Sequence, residues 1–200
     1  MDALIIVDID HGDGWSENEG DGWSENDRVS GTDRGKIVAA ITDTLVRWRE
    51  RGGAVIFIVM AWWTLPEKIV QVALNGLREE CIGCDTSGNW RLAEFLAHRH
   101  EDPHEAIFIK NKRDAFTNPG LATFLRANGV TRLFLAGCST SECVKATAEG
   151  AVRNGFSVSL LANCTYPAFA AKEEKESWVS DVLSSATSKR TPSAHEVEIV

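Results

Sequence analysis

The residue that most clearly suggests chemistry is a cysteine that lies between a predicted strand and a predicted helix. The segment Ala-Gly-Cys-Ser-Thr-Ser-Glu-Cys-Val places Cys143 in the first turn of that helix. A thiol in this position faces the positive end of the helix dipole and unpaired backbone N–H groups, which favour the thiolate. The same N–H groups can hold an oxyanion that forms at a carbonyl carbon under attack. We therefore assign Cys143 as a nucleophile.

Two charged residues end apolar strands and are candidates for the groups that such a nucleophile needs. Asp8 follows Leu-Ile-Ile-Val, and Lys110 follows Ala-Ile-Phe-Ile. A carboxylate at the end of an apolar strand is costly unless it is paired or catalytic. We assign Asp8 as the base and Lys110 as its partner and electrostatic support. His11 is the one histidine near this position, so a Cys143–His11 pair is the alternative.

The apolar runs of the chain alternate between strand-like and helical spacing, which is typical of a parallel sheet covered by helices. We predict strands at 3–9, 54–60, 106–109, 132–136 and 156–161, with an edge strand near 196–200. The prediction is a single α/β domain over residues 1–200, with a doubly wound, mainly parallel sheet of five or six strands and helices on both faces. Ligands of such sheets bind beyond the carboxyl ends of the strands, where Asp8, Lys110 and Cys143 are expected to meet.

Composition and charge limit the class of partner. The chain has 200 residues, of which 44% are hydrophobic and 25% charged, as in one ordinary globular domain. Lys plus Arg total 21 against 29 for Asp plus Glu, a net charge of −8, which argues against nucleic acid or an anionic membrane as partner. Neither a signal peptide nor a membrane span is recognisable. We expect a cytoplasmic protein that binds a small-molecule substrate.

The five cysteines do not suggest a disulfide framework, because their number is odd. Cys81 and Cys84 form a C-x-x-C motif, but no second pair or histidine cluster completes a zinc site. We interpret them as incidental or structural thiols, with a redox or metal role as the alternative.

A tandem copy follows the first predicted strand. Residues 12–19 read GDGWSENE and residues 20–27 read GDGWSEND, so the segment 12–27 is a duplicated acidic loop. Its acidic residues do not follow the ligand spacing of an EF-hand, which argues against a calcium loop. Two interpretations stay open: a solvated surface loop, and a lid over the site that follows the first strand.

The same residues resemble a known family. Asp8 in LIIVDID, Lys110 in IKNKRDAF and Cys143 in LAGCSTSECVKATAEGAVRNGFSVSLLAN are similar to the Asp-Lys-Cys triad of the isochorismatase-like cysteine hydrolases. The resemblance implies the Rossmann-like three-layer fold of that family and a non-proline cis peptide bond at Cys138-Ser139. It also implies a homo-oligomer, a dimer or tetramer. With it, we assign the backbone N–H groups of Ser139 and Cys143 as the oxyanion donors.

The chain departs from the pattern of the family's nicotinamidases, and this argues against nicotinamidase activity. Nicotinamidases of the family carry histidine metal ligands after the second strand, whereas this chain has Met-Ala-Trp-Trp at 60–63, so we expect neither a metal nor another cofactor. For substrate binding we assign Asp10, Trp62, Trp63, Arg113, Phe116 and Cys138, of which Arg113 is a candidate clamp for a carboxylate.

We predict a cysteine hydrolase that cleaves a non-peptide C–N bond, amide or carbamoyl, of a small molecule through a covalent cysteine intermediate. Two alternatives remain. One is an isochorismatase-type hydrolase that cleaves an ether by acid-base chemistry and does not need Cys143. The other is a catalytically silent binding or effector protein with the same fold.

Overall fold

The computed structural model describes residues 1–9, 31–60, 96, 99, 101–110, 112–186 and 196–200, with the side chains of 31–34 and 186 left out of the description. The strands are β1 (Asp2–Val7), β2 (Ala54–Met60), β3 (Glu105–Lys110), β4 (Arg132–Cys138), β5 (Ser157–Tyr166) and β6 (Val197–Ile199). The helices are α1 (Gly31–Glu50), α2 (Pro119–Ala127), α3 (Lys145–Arg153) and α4 (Lys172–Ala186), with a short 3₁₀ turn at Ala115–Thr117 and a π-helical turn at Thr140–Val144.

Within the described ranges, six strands form one parallel sheet in the order β3-β2-β1-β4-β5-β6. The predicted fold class is confirmed. From β1 the chain moves outward through β2 to β3 and then returns to β4 on the other side of β1. This reversal puts the topological switch point between β1 and β4, and ligands of such sheets bind there, beyond the carboxyl ends of the strands.

Both faces of the sheet are buried, as the apolar runs of a parallel sheet require. One face, with Ile5, Ile56 and Phe108, packs against buried residues of α2, α3 and α4. The other face, with Ile6 and Phe57, packs against α1. Alternation along each strand therefore decides which helices a side chain meets. Among the described residues, no helix is both long enough and apolar enough to cross a membrane.

The carboxyl ends of β1, β4 and β5 differ from the prediction by two residues or more, and β4 ends at Cys138 rather than at residue 136. β1 stops at Val7 rather than Ile9, because Asp8 has a left-handed backbone with φ of +51°. β5 continues to Tyr166 rather than ending at Leu161, because after an irregularity in register Gly137 pairs with Thr165 and Cys138 with Tyr166. Pairing with β4 keeps the polar end of β5 in the sheet.

The start of α2 is tied to the end of β3 through one side chain. Asn118 accepts the Gly120 N–H at 3.0 Å and so caps α2, while its amide group donates to the Ile109 carbonyl at 3.0 Å. Pro119 occupies the first turn, where its missing N–H costs nothing. The backbone next to Lys110 is thereby fixed.

Candidate active site

Asp8 lies immediately beyond β1, at the switch point. Its N–H still donates to the Ile58 carbonyl at 2.9 Å, so the backbone remains attached to β2. The positive φ interrupts the alternation of β1, since Ile9 packs in the same apolar cluster as Leu4 and Ile6. An aspartate tolerates this left-handed conformation better than most residues.

The carboxylate of Asp8 is paired with Lys110. Lys110 Nζ lies 2.7 Å from Asp8 Oδ2, and the two side chains are 0% and 7% exposed. Lys110 has the same parity along β3 as Ala106 and Phe108, so it belongs to the face covered by α2, α3 and α4. Two charges this deeply buried persist only because each compensates the other.

Cys143 lies in the π-helical turn at Thr140–Val144, which precedes α3. The N–H groups of Glu142 and Val144 both donate to the Ser139 carbonyl, at 3.0 and 3.1 Å. The bond from Val144 spans five residues, which gives the turn its extra width. The half-buried thiol of Cys143 lies close enough to Asp8 and Lys110 that both groups act on its pKa. The structure therefore brings together the three residues that the sequence analysis assigned to the chemistry.

The thiol is in its neutral form at neutral pH. Burial is the main cause that raises the pKa of Cys143 to about 12, and the charge of Asp8 and its hydrogen bond act in the same direction, while Lys110 opposes them. This corrects the expectation that the start of a helix favours the thiolate. The thiol lies close to the Asp8 carboxylate, and its deprotonation needs a base during the reaction.

The backbone between β4 and the π-helical turn depends on Gly137. Its φ is +119°, and a Cβ at this position would lie 2.0 Å from the Val7 carbonyl oxygen. The Cys138-Ser139 peptide bond is cis, and Cys138 is buried on the α1 face. Ser139 comes directly before the π-helical turn and Cys143 lies within it, so both N–H groups belong to the backbone that carries the thiol.

The loop after β3 is held against α3 by residues that the sequence analysis did not single out. The buried Thr147 hydroxyl accepts the Ala115 N–H at 3.2 Å. Asp114 accepts the Phe116 N–H at 2.8 Å and pairs with Arg153 at 2.9 Å. These contacts keep the segment that follows Lys110 next to the helix that follows Cys143. An aspartate two residues before the N–H it accepts is a recognisable turn signal in the sequence.

Gly150 provides the space for the Asp114 carboxylate. A Cβ on Gly150 would lie 2.2 Å from Asp114 Oδ1, so α3 has room for this carboxylate only because residue 150 lacks a side chain. Burial raises the pKa of Asp114, and its partners Phe116 and Arg153 oppose that effect.

Two of the residues assigned to substrate binding make other contacts. Arg113 Nη1 lies 2.6 Å from Glu142 Oε2, in a pair whose side chains are 70% and 45% exposed, beside the turn that carries Cys143. Phe116, also assigned to substrate binding, is partly buried and packs against the core of the α2–α4 face, with its ring 5.7 Å from that of Phe156.

The other predicted features lie outside the described residues: Asp10, His11, Trp62, Trp63, Cys81, Cys84 and the duplicated loop at 12–27. Among the residues that are described, no group of three His, Cys, Asp or Glu side chains is placed to hold a metal ion.

A family model described as the isochorismatase domain matches residues 2–180. The chain belongs to the isochorismatase family. Solved structures that cover almost the whole length of this chain share its fold. N-carbamoylsarcosine amidase from Thermoplasma acidophilum superposes with a TM-score of 0.66 at 15% identity, over 99% of this chain and 94% of that one. At this identity the likeness shows a shared fold.

Among curated relatives of this isochorismatase-family chain, maleamate amidohydrolase from Pseudomonas putida is 40% identical over 73 residues. The match covers 36% of this chain and 34% of that protein, so the chain spans about a third of the relative's length. A protein of Arabidopsis thaliana named "Probable inactive nicotinamidase" is 25% identical over 198 residues, which cover 97% of this chain and 93% of that one.

Proposed function

We propose that this isochorismatase-family protein is a hydrolase that cleaves an amide or carbamoyl C–N bond, outside peptides, in a small molecule. The observation that carries the proposal is the buried contact of Asp8, Lys110 and Cys143 at the switch point. Two of the similar proteins are named as amidases, the maleamate amidohydrolase and the N-carbamoylsarcosine amidase, which supports C–N bond cleavage.

In the proposed first half-reaction, Asp8 accepts the thiol proton of Cys143 as the sulfur attacks the substrate carbonyl carbon. The C–S bond forms, and the electrons of the carbonyl π bond move to oxygen. Asp8 then gives the proton to the leaving nitrogen, the C–N bond breaks, and ammonia or an amine departs. A thioester on Cys143 remains.

In the second half-reaction, water attacks the thioester while Asp8 accepts one of its protons. The C–S bond breaks, the sulfur regains the proton, and the acid is released. These steps use only side chains and amides of this chain together with water. Lys110 keeps Asp8 in its charged form between the steps and offsets the negative charge that develops on sulfur.

The oxyanion of both tetrahedral intermediates is assigned to the N–H groups of Ser139 and Cys143. Both belong to the backbone that the close approach of Gly137 to Val7 holds next to β1. Removal of one donor from such a site typically lowers kcat about 10²- to 10³-fold.

We also propose that residues near the carboxyl ends of the strands bind the substrate. In the sequence, Asp10 follows β1 and Trp62 and Trp63 follow β2, while Cys138 is the last residue of β4. The carboxyl ends of these strands are where a substrate on Cys143 would lie. Arg113 would bind a substrate carboxylate in exchange for Glu142, its present partner. We also propose that the protein is cytoplasmic, that it forms a homo-oligomer, and that its ligand is this small substrate.

A second candidate function is a catalytically silent protein that binds the same kind of ligand. It is favoured by the likeness to the Arabidopsis protein named as inactive, which extends over nearly the whole chain. Against it stands the intact contact of base, lysine and thiol, which a silent protein has no need to keep.

The experiment that separates these functions is ammonia release from a panel of small amides that includes maleamate, nicotinamide and N-carbamoylsarcosine. The wild type is compared with Cys143→Ala and with Cys164→Ala, a matched control that removes a buried thiol on the α1 face. We expect turnover of at least one amide to be lost in Cys143→Ala and retained in Cys164→Ala. Turnover that survives Cys143→Ala but not Asp8→Asn would favour acid-base chemistry, and no turnover in the wild type would favour the silent protein.

A further inference from the structure

The π-helical turn that carries Cys143 is held by a residue from the C-terminal helix. Trp178 on α4 is 4% exposed, and its indole N–H donates to the Thr140 carbonyl at 3.0 Å in a buried hydrogen bond. Thr140 is the first residue of the turn, between the two amides assigned to the oxyanion. Trp178, from the C-terminal helix, thus fixes the backbone of the turn that carries Cys143.

Thr140 is anchored a second time by its side chain. Its hydroxyl donates to the Pro167 carbonyl at 2.7 Å, in the connection between β5 and α4, and the residue is 2% exposed. Both anchors of Thr140 therefore come from the chain that follows β5. π-Helical turns are rare, occur mostly as single turns and are frequent at functional sites.

We infer that Trp178 is a positioning residue that keeps the Ser139 and Cys143 amides in place for the oxyanion. This inference rests on the proposed function. Trp178 touches neither the substrate nor the reacting atoms, and it acts through the Thr140 carbonyl. Since displacement of a catalytic group by about 1 Å can cost roughly 10²-fold in rate, loss of this hydrogen bond is expected to show in kcat more than in KM.

The test compares Trp178→Phe, which keeps an aromatic ring and removes the N–H donor, with Val182→Ala. Val182 is fully buried one turn further along α4 in the same apolar cluster, so its truncation loosens α4 without touching Thr140. Both variants are measured well below their melting temperatures. We expect Trp178→Phe to lower kcat about 10- to 100-fold with KM within about twofold, and Val182→Ala to leave kcat within about twofold of the wild type.

Amide hydrogen exchange over 139–144 provides a readout that does not need turnover. Exchange in this segment should accelerate in Trp178→Phe and stay near the wild-type rate in Val182→Ala. If Trp178→Phe fails to fold, the isosteric replacement of this tryptophan by benzothienylalanine, which exchanges the N–H for sulfur, takes its place. Wild-type kcat in the donor-free variant, or equal losses in both variants, would overturn the inference. Absence of amidase activity in the wild type would instead overturn the proposed function. In that case, amide hydrogen exchange over 139–144 still shows whether Trp178 holds the π-helical turn.

Discussion

The ammonium of Lys110 reaches the carboxylate of Asp8, at 2.7 Å, although β2 lies between the two strands that carry them. Neighbouring strands are about 4.8 Å apart, so the side chains bridge roughly 10 Å at the edge of the sheet. A long lysine makes this possible, and the pair is shielded from water on the α2–α4 face. The same carboxylate also acts on the pKa of the Cys143 thiol.

A double-mutant cycle should separate the structural role of this pair from its chemical role. Asp8→Asn or Lys110→Met alone leaves one buried charge without its partner and should lower the free energy of unfolding by about 3–5 kcal/mol. The double variant removes both charges and should recover a large part of that loss, as measured by urea denaturation. Activity should be lower by at least about 10³-fold in all three variants. Recovery of activity together with stability would contradict a catalytic role for the pair.

Replacement of Asp8 by asparagine should make the thiol of Cys143 ionise more readily, although the same change should lower activity. Because the carboxylate and its hydrogen bond help to raise the thiol pKa, Asp8→Asn should lower the pKa of Cys143 from about 12. Alkylation of this residue by iodoacetamide, followed by peptide mapping from neutral to alkaline pH, should be slow at neutral pH in the wild type and shift to lower pH in Asp8→Asn. Cys164, whose raised pKa has burial as its main cause, serves as the internal control. Full labelling of wild-type Cys143 at neutral pH would show that the thiolate already exists at rest.

The ion pair of Arg49 with Glu105 should matter for stability and not for the reaction. The side chains are 9% and 1% exposed, 2.6 Å apart, and they join α1 to the start of β3 at the end of the sheet away from Cys143. Glu105→Gln should cost about 3–5 kcal/mol of unfolding free energy with kcat unchanged at temperatures where the variant is folded. The matched control is Asp43→Asn, which breaks the exposed pair of Asp43 with Arg47 on α1 and should cost about 0.5 kcal/mol or less. Equal losses of unfolding free energy in Glu105→Gln and Asp43→Asn would mean that burial of an ion pair does not determine its contribution to stability.

The duplicated loop offers a test of the lid interpretation. Deletion of one copy, residues 20–27, should leave the fold intact, because loop-closure entropy changes slowly with loop length. An acidic lid over the site would attract cationic substrates, and salt would screen this attraction over a Debye length of about 8 Å at physiological ionic strength. The deletion should then change KM and weaken its dependence on salt. If the wild type and the deletion variant have the same KM at low salt and at high salt, the result would favour a solvated surface loop.

The sequence by itself determined the fold class and the three residues that meet at the switch point. Apolar runs that end in Asp8 and Lys110, and a cysteine between a strand and a helix, are local patterns, and the shared edge of a parallel sheet brings such positions together whatever the details of packing. This is why the predicted sheet and the contact among Asp8, Lys110 and Cys143 agree with the structure. The cap at Asn118 is also a local feature, because it depends on residues within one turn of the helix.

Only the tertiary structure decided the state of the thiol and the support of its backbone. The pKa of Cys143 depends on burial and on a carboxylate from the other end of the chain, and no local pattern contains that information. The space that Gly150 leaves for Asp114 and the hydrogen bond from Trp178 to Thr140 are likewise contacts between elements distant in sequence. The pattern of residues specifies which elements form, whereas the distances between their side chains are set when those elements pack.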